Sequence, residues 1–546
     1  MGAAASISAT EISLQECRAL IRDSLDISEE WKSDVELLLD SWVPAVSEKI
    51  KLGILQRFYK KGEDAGAGGG CFIDKEFDRV ASIEHLGLEN VIFVPCSSKQ
   101  ESKDSIMALT HKSIVQGKMG DCFLVASLAA LLSPHVLDKH PDLLNSIIRS
   151  SGFGKWSVNL YDKNEPITVE VDSLLPLNGG GFDHYKDSVF ASSPSTPLFS
   201  LIEKGFAKHF GAYWRLQGGN VEETLGNLLA RPIDDIHFTA SSFSKSPEKY
   251  KKLISLNIKL GNVLCCGNID TELNGNDSTY TSLGVTLNHA FALVRADESH
   301  VWLYNPHGHD NHFKGGSEDG ELKLTWKEFG KNINRLQICY LDEGRERKGY
   351  WVRTLRRGAG GASNHKSFAD NDVLVFDVEK DMPLDELVLM FGQEDMRGSR
   401  QVGEKLSYKE IGITVVGIKK KEGGEVRATS LERRENSHVS EIMASSRMKR
   451  YFSNARSLCS PLALAQVTIH DFNMLTPERY AVLAKTEAFA NKRDTCLRVS
   501  KRCLKGHKLV GLVFSYFDKW LEEDAKVWVA TFRGGESEIC LGGAAA

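Results

Sequence analysis

The chain has 546 residues, 42% hydrophobic and 26% charged, enough to bury substantial cores and to divide into about three domains. Its formal net charge of -5 is small for that length, so no bulk field argues for nucleic acid or an acidic substrate as partner. Eleven cysteines without C-x-x-C spacing suggest neither a zinc module nor a full disulfide framework, and a reducing, cytosolic setting fits them best.

The first residues, Met1-Gly2-Ala3-Ala4-Ala5-Ser6, satisfy the M-G-x-x-x-[ST] pattern for myristoylation of Gly2, against the plain reading of an unmodified flexible end. One acyl chain gives only weak, reversible peripheral membrane contact, and neither a cysteine at positions 3 to 5 nor an adjacent basic cluster supplies a second anchor. No apolar run approaches the ~18 residues of a membrane span, and the N-terminus lacks the charged and apolar regions of a secretory signal. From Ile12 to Tyr59, apolar residues at three- and four-residue steps predict amphipathic helices, and the glycine run Gly62 to Gly70 reads as a linker closing an N-terminal region, 1–70. Beyond it, helical and strand patterns mix: Cys122 to Leu132 reads as helix, "HAFALVRA" and "VWLYNP" as strands, and the class expected is α+β. After about Gly344, "DVLVFDV", "IGITVVGI" and "RYAVLAK" are short alternating segments of the kind that build a β-sandwich, expected over 346–505. "KKKE" at Lys419 to Glu422 reads as a solvated connection, and 506–546, with "LVFSYFDKWLEE" and "VWVATFRGG", has no assignable role.

Chemistry concentrates around "VQGKMGDCFLVASLAALL", Val115 to Leu132. Cys122 opens an apolar helix whose unpaired N–H groups and dipole favour a thiolate, while Gly117 and Gly120 permit a tight approach turn. A packed core thiol is the competing reading. A thiol nucleophile also needs a base, a group orienting that base, and oxyanion donors. His289 begins one predicted strand and Asn305 ends the next. A three-residue loop at Asp297 to Ser299 would place them diagonally on one face, roughly 7 Å apart at Cβ.

"QGKMGDCFLVASLAALL" resembles the active-site segment of calpains, cysteine proteases of papain-like fold, and "FIDKEF", "LIEKGFAKHFGAYWRLQGG", "NHAFALV", "NPHG" and "WKEFGKNINRLQICYL" follow in the family's order. The resemblance covers about Cys71 to Leu341 and implies a two-part catalytic domain, 71–345, split near Ala230. It implies that Cys122 is the nucleophile, His289 the base and later acid, Asn305 its orienting partner and Gln116 an oxyanion donor beside the Cys122 N–H. Protein substrates follow from the same likeness. The family also implies calcium, with Glu203, Asp319 and Glu321 at positions of acidic ligands. Ser113 and Asn311 depart from acidic ligand positions, so both sites look thinned, and no EF-hand loop is visible. His307 replaces a tryptophan that shields the Asn/His hydrogen bond, and His307, His309 and His312 raise a metal reading of their own. A non-catalytic scaffold and a transglutaminase-like acyl transferase are the alternatives.

Overall fold

The structure is a computed structural model and describes residues 72, 74–88, 91–96, 106, 108–152, 154–178, 185–269, 279–309, 312–315, 319–341, 347–355, 361–364, 368, 371, 373–377, 386–418, 465–467, 480–485, 490–491, 493–500, 504, 509–516 and 525–533. The expectations for Gly2, the helical region 1–70, Asn311 and the lysine run at 419–422 lie outside the described residues. Two compact units result, one ending at Leu341 and taking in Met396–Leu406, the other formed from Asp342–Asp395 and Ser407–Ala546.

Among the described residues, the main elements of the first part of the first unit are, in order, β1 (Val91–Pro95), α1 (Cys122–Leu131), β2 (Ile148–Gly152), β3 (Lys155–Asp162), β4 (Glu165–Asp172), β5 (Leu174–Asn178), α2 (Leu198–Phe210) and α3 (Val221–Leu229). Strands β2, β3 and β4 form an antiparallel meander and β1 pairs with β5. Helix α3 ends at Ala230, which adopts a left-handed φ of 49°. A six-stranded antiparallel sheet follows, from β6 (Ile233–His237), β7 (Val263–Asn268), β8 (His289–Ala296), β9 (His300–Tyr304), β10 (Glu321–Thr325) and β11 (Arg335–Cys339), in the order β10-β9-β8-β7-β11-β6.

Helix α1 positions the site. Its residues Phe123 to Leu131 are all buried, as expected of a segment without a polar stripe. The single hydroxyl, Ser127 Oγ, is satisfied by the Phe123 carbonyl at 2.7 Å. The helix packs on α3, β7 and β8. Burying Phe123, Leu124, Val125, Leu128 and Leu131 contributes on the order of 10 kcal/mol, before the entropy of ordering them.

Glycines admit close approach at two points. A Cβ on Gly117 would lie 2.4 Å from Phe190 Cα, and one on Gly205 in α2 would lie 2.8 Å from the Val158 side chain of β3. Arg397, from the 396–406 segment, is buried within the first unit. It donates to Glu223 Oε2 at 2.6 Å and to the carbonyls of Arg215 and Gly218 at 3.0 and 2.8 Å, with its guanidinium 4.9 Å from the Phe123 ring centroid.

Among its described residues, the named elements of the second unit are strands: β12 (Arg347–Leu355), β13 (Val373–Asp377), β14 (Glu386–Gln393), β15 (Glu410–Ile418), β16 (Ala465–Val467), β17 (Tyr480–Lys485), β18 (Ala490–Asn491), β19 (Asp494–Ser500), β20 (Leu509–Tyr516) and β21 (Ala525–Arg533). One sheet runs β12-β21-β14-β19 and the other β16-β13-β20-β15-β17, with β18 on β15. Leu389, Phe391, Val499, Val527 and Val529 from the first sheet share a core with Ile411, Ile413, Val415, Val510, Leu512 and Phe514 from the second. The segments to which the sequence assigns no role supply β20 and β21, each flanked on both sides within its sheet.

Candidate active site

The approach to Cys122 is held on both sides. Val115 exchanges two backbone hydrogen bonds with Ser192, each 2.9 Å, Lys118 N donates to Val189 O at 2.8 Å, and Gln116 N donates to Pro306 O at 2.7 Å. Cys122 then begins α1, half-buried. Burial pushes its thiol up to about 11. The N–H groups of Ala290, Phe123 and Cys122 act the other way, and the Asp121 charge reinforces burial. The donors at the helix start expected from the sequence are present, yet loss of water outweighs them and holds the thiol above its ordinary value.

The Ala290 contact brings the strand that begins with His289 to the sulfur. His289 is buried, and its Nε2 lies 2.9 Å from Asn305 Oδ1. That oxygen also accepts the His307 N–H at 3.1 Å, which fixes the amide orientation. Nε2 therefore carries the hydrogen, and Nδ1 is left as the basic nitrogen. Burial, and secondarily the charge of His307, lower His289 to about 4, against the bond to Asn305.

The register that joins the pair differs from the expected one. Near the turn Ala296 faces Val301, with Asp297 N donating to His300 O at 2.9 Å, and continuing that register would set Asn305 and His289 on opposite faces. An irregularity between Leu293 and Arg295 shifts the pairing by one, so that Leu293 faces Leu303 and Ala292 faces Tyr304. Ala296 and Val301 are separated by four residues, 297–300, not by the expected three-residue loop, and the extra residue at the bulge, Val294, restores the parity that this even connection loses. Beyond the strand, the rings of His307 and His289 lie 4.6 Å apart, so His307 covers the pair instead of leaving it open.

Gln116 Nε2 donates to Met119 O at 2.6 Å. This steadies the side chain six residues ahead of the thiol and leaves one amide hydrogen for another acceptor.

Residues 97–331 match the sequence profile of the calpain family cysteine protease. The chain carries a calpain-family cysteine protease domain. Calpain-9 of Mus musculus is 26% identical over 306 residues, 47% of this chain and 41% of that protein. The calpain-2 catalytic subunit of Gallus gallus is 25% identical over 352 residues, 54% and 48% respectively, and the calpain-1 catalytic subunit of Homo sapiens is 26% identical over 298 residues, 47% and 40%. The chain thus spans less than half the length of these relatives.

Within this calpain-like domain, the acidic positions are differently used. Glu203 is buried in α2, where its Oε2 accepts the Ala191 N–H at 3.1 Å and its carboxyl lies close to that of Asp121, the residue preceding the nucleophile. Burial, then the Asp121 charge, holds Glu203 well above the usual carboxylate range, and burial raises Asp121 to about 6. A protonated carboxyl facing inward is a poor calcium ligand. Ser113 Oγ accepts the Thr110 N–H at 3.0 Å, closing a cap. Asp319 and Glu321 do come together, but around Lys112 Nζ, 2.5 and 2.9 Å away. The donors present do not fit calcium at either place. Nor do the three histidines converge, because the His307 ring lies on His289 and the His312 ring lies 4.0 Å from Tyr280.

Sequence reasoning missed Lys112, Asp121 and the Ala290 N–H. Asp121 adjoins the thiol in "GDC" and was open to notice. The other two act across segments far apart in the chain, and local pattern carries no sign of them.

Proposed function

We propose that this chain is a calpain-like cysteine endopeptidase of the cytoplasm, cutting protein substrates through a thioester. Its catalytic domain, 71–345, is papain-like with halves meeting near Ala230, and a β-sandwich follows that starts near 346 and, instead of stopping at 505, takes in β20 and β21. The observation that carries the reading is the His289 Nε2 to Asn305 Oδ1 hydrogen bond of 2.9 Å, on a strand whose next residue directs its N–H at the Cys122 sulfur.

With the Cys122 thiol raised and the His289 imidazole lowered, proton transfer accompanies attack. Cys122 Sγ bonds to the scissile carbonyl carbon as its proton passes to His289 Nδ1, and the Cys122 N–H and the free Gln116 amide hydrogen receive the developing oxyanion. His289 returns the proton to the leaving amine. Water, deprotonated by the same imidazole, then releases the acid from the thioester. Asn305 holds the imidazole with Nε2 occupied throughout. No step passes through a metal.

Treatment with an E-64-type epoxide, wild type against Cys122→Ala, tests the assignment. Covalent labelling at Cys122 is expected. Its absence from wild type, with and without calcium, refutes an active protease and leaves the scaffold reading.

A further inference from the structure

Three segments of the first unit meet at the turn before β10. Gly320 stands there with φ of 76°, its carbonyl accepting the Asn305 N–H at 2.8 Å. On either side, Asp319 and Glu321 direct carboxylates at the short turn His111–Ser113. Lys112 Nζ lies 2.5 Å from Asp319 Oδ2 and 2.9 Å from Glu321 Oε2, while Arg295 of β8 holds the other Glu321 oxygen at 2.9 Å. His111 Nε2 is 3.5 Å from Glu321, and burial, opposed by that carboxylate, keeps it below the ordinary histidine range. Two cations, Lys112 and Arg295, thus lie on the two carboxylates.

The ends of this bridge matter. Lys112 lies ten residues ahead of Cys122, on the strand of chain that also carries Gln116. Asp319 and Glu321 bracket the glycine that fixes the Asn305 backbone. Two further bonds run along the same seam, Tyr304 Oη to Ile114 O at 2.6 Å and Gln116 N to Pro306 O at 2.7 Å.

We infer that Lys112 is a positioning residue: a built-in ammonium that latches the nucleophile segment to the Asn305 turn and takes the place of a divalent ion there. The inference rests on the protease reading for its catalytic consequence. An ammonium suits the place because it is a compact charge with three donors, two of them already on carboxylates. Calcium would need six to eight oxygens and would have to expel Lys112 from carboxylates that already hold two cations.

The test compares wild type, Lys112→Gln, Lys112→Arg and Asp319→Asn as full chains, in chelator and in millimolar calcium. Epoxide labelling of Cys122 is followed as the maximal inactivation rate and the inhibitor concentration at half that rate. Wild type is expected to label equally fast in both buffers. In chelator, Lys112→Gln slows the maximal rate about tenfold at unchanged half-saturation, Asp319→Asn slows it about threefold, and Lys112→Arg stays within about twofold of wild type. Hydrogen exchange at the Asn305 and Gln116 amides gives a second readout independent of activity, expected to quicken about tenfold in Lys112→Gln. A calcium requirement in wild type, or labelling and exchange in Lys112→Gln equal to wild type, overturns the latch while leaving the protease reading intact. No labelling of wild type at all defeats the protease reading, and amide exchange then still decides the latch.

Discussion

Titrating Cys122 tests the resting charge state most directly. The perturbation is pH alone. Burial, helped by Asp121, carries the thiol from an ordinary 9.0 to about 11, so the thiolate fraction at pH 7 is roughly 10⁻⁴ where an exposed cysteine has roughly 10⁻². Because the folded value lies above the unfolded one, this group contributes stability in full below pH 9 and loses it as pH rises through 11. That loss amounts to about 2.7 kcal/mol, two pH units at about 1.36 each. The assay is alkylation by iodoacetamide from pH 5 to about pH 11, read by mass spectrometry of the peptide bearing Cys122. The logarithm of the rate should climb with a slope near one until about pH 11. A plateau beginning near pH 4 to 5 would falsify the reasoning, since it would signal a thiolate and imidazolium formed before any substrate arrives.

His289 titrates in the opposite sense: lowered from 6.5 to about 4, chiefly by burial, it contributes stability above pH 6.5 that is lost as pH falls through 4. Denaturant unfolding of wild type against His289→Gln should therefore diverge by roughly 3 kcal/mol between pH 7 and pH 4, and a constant difference counts against a buried neutral imidazole. In His307→Ala, exposing the pair and removing a neighbouring charge should move the acid limb of epoxide labelling upward, toward pH 6.5; an unmoved limb would show that the ring 4.6 Å away shields nothing. Arg397→Ala removes the cation facing buried Glu223, leaving the carboxylate only the Asn220 amide on its other oxygen, and should cost about 3–5 kcal/mol by thermal unfolding, whereas Arg397→Met with Glu223→Gln should recover most of it; equal losses would mean that packing, not charge, is at stake. Gly117→Ala drives a methyl into the Phe190 backbone and should abolish soluble protein or epoxide labelling, and wild-type behaviour would contradict the close approach.

Legibility followed the range of the interaction. Helix α1 could be read because an all-apolar run after a glycine turn has few other fates, and β8 and β9 because their composition and turn are local. The partnership of His289 with Asn305 was visible in spacing, but the route to it was not, since nothing in "HAFALVRA" announces a bulge at Val294. Arg397 reaches Glu223 across 174 residues and Lys112 reaches Asp319 across 207, separations over which one sequence carries no pairing signal. The segments forming β20 and β21 were obscured by aromatic and charged residues that suit helix and strand alike.

The bulge at Val294 also divides the β8–β9 hairpin into two parts with separate obligations. Between the bulge and the active site, Leu293 facing Leu303 and Ala292 facing Tyr304 set the phase on which His289 and Asn305 depend. Outside it, the tip at 297–299 answers to its own turn and to the Trp326 indole, which donates to Asp297 O at 3.0 Å. Evolution or an engineer can therefore lengthen the tip as an independent surface, for a tag or a recognition loop, while one residue added or lost between positions 289 and 293 would turn the imidazole away from its amide.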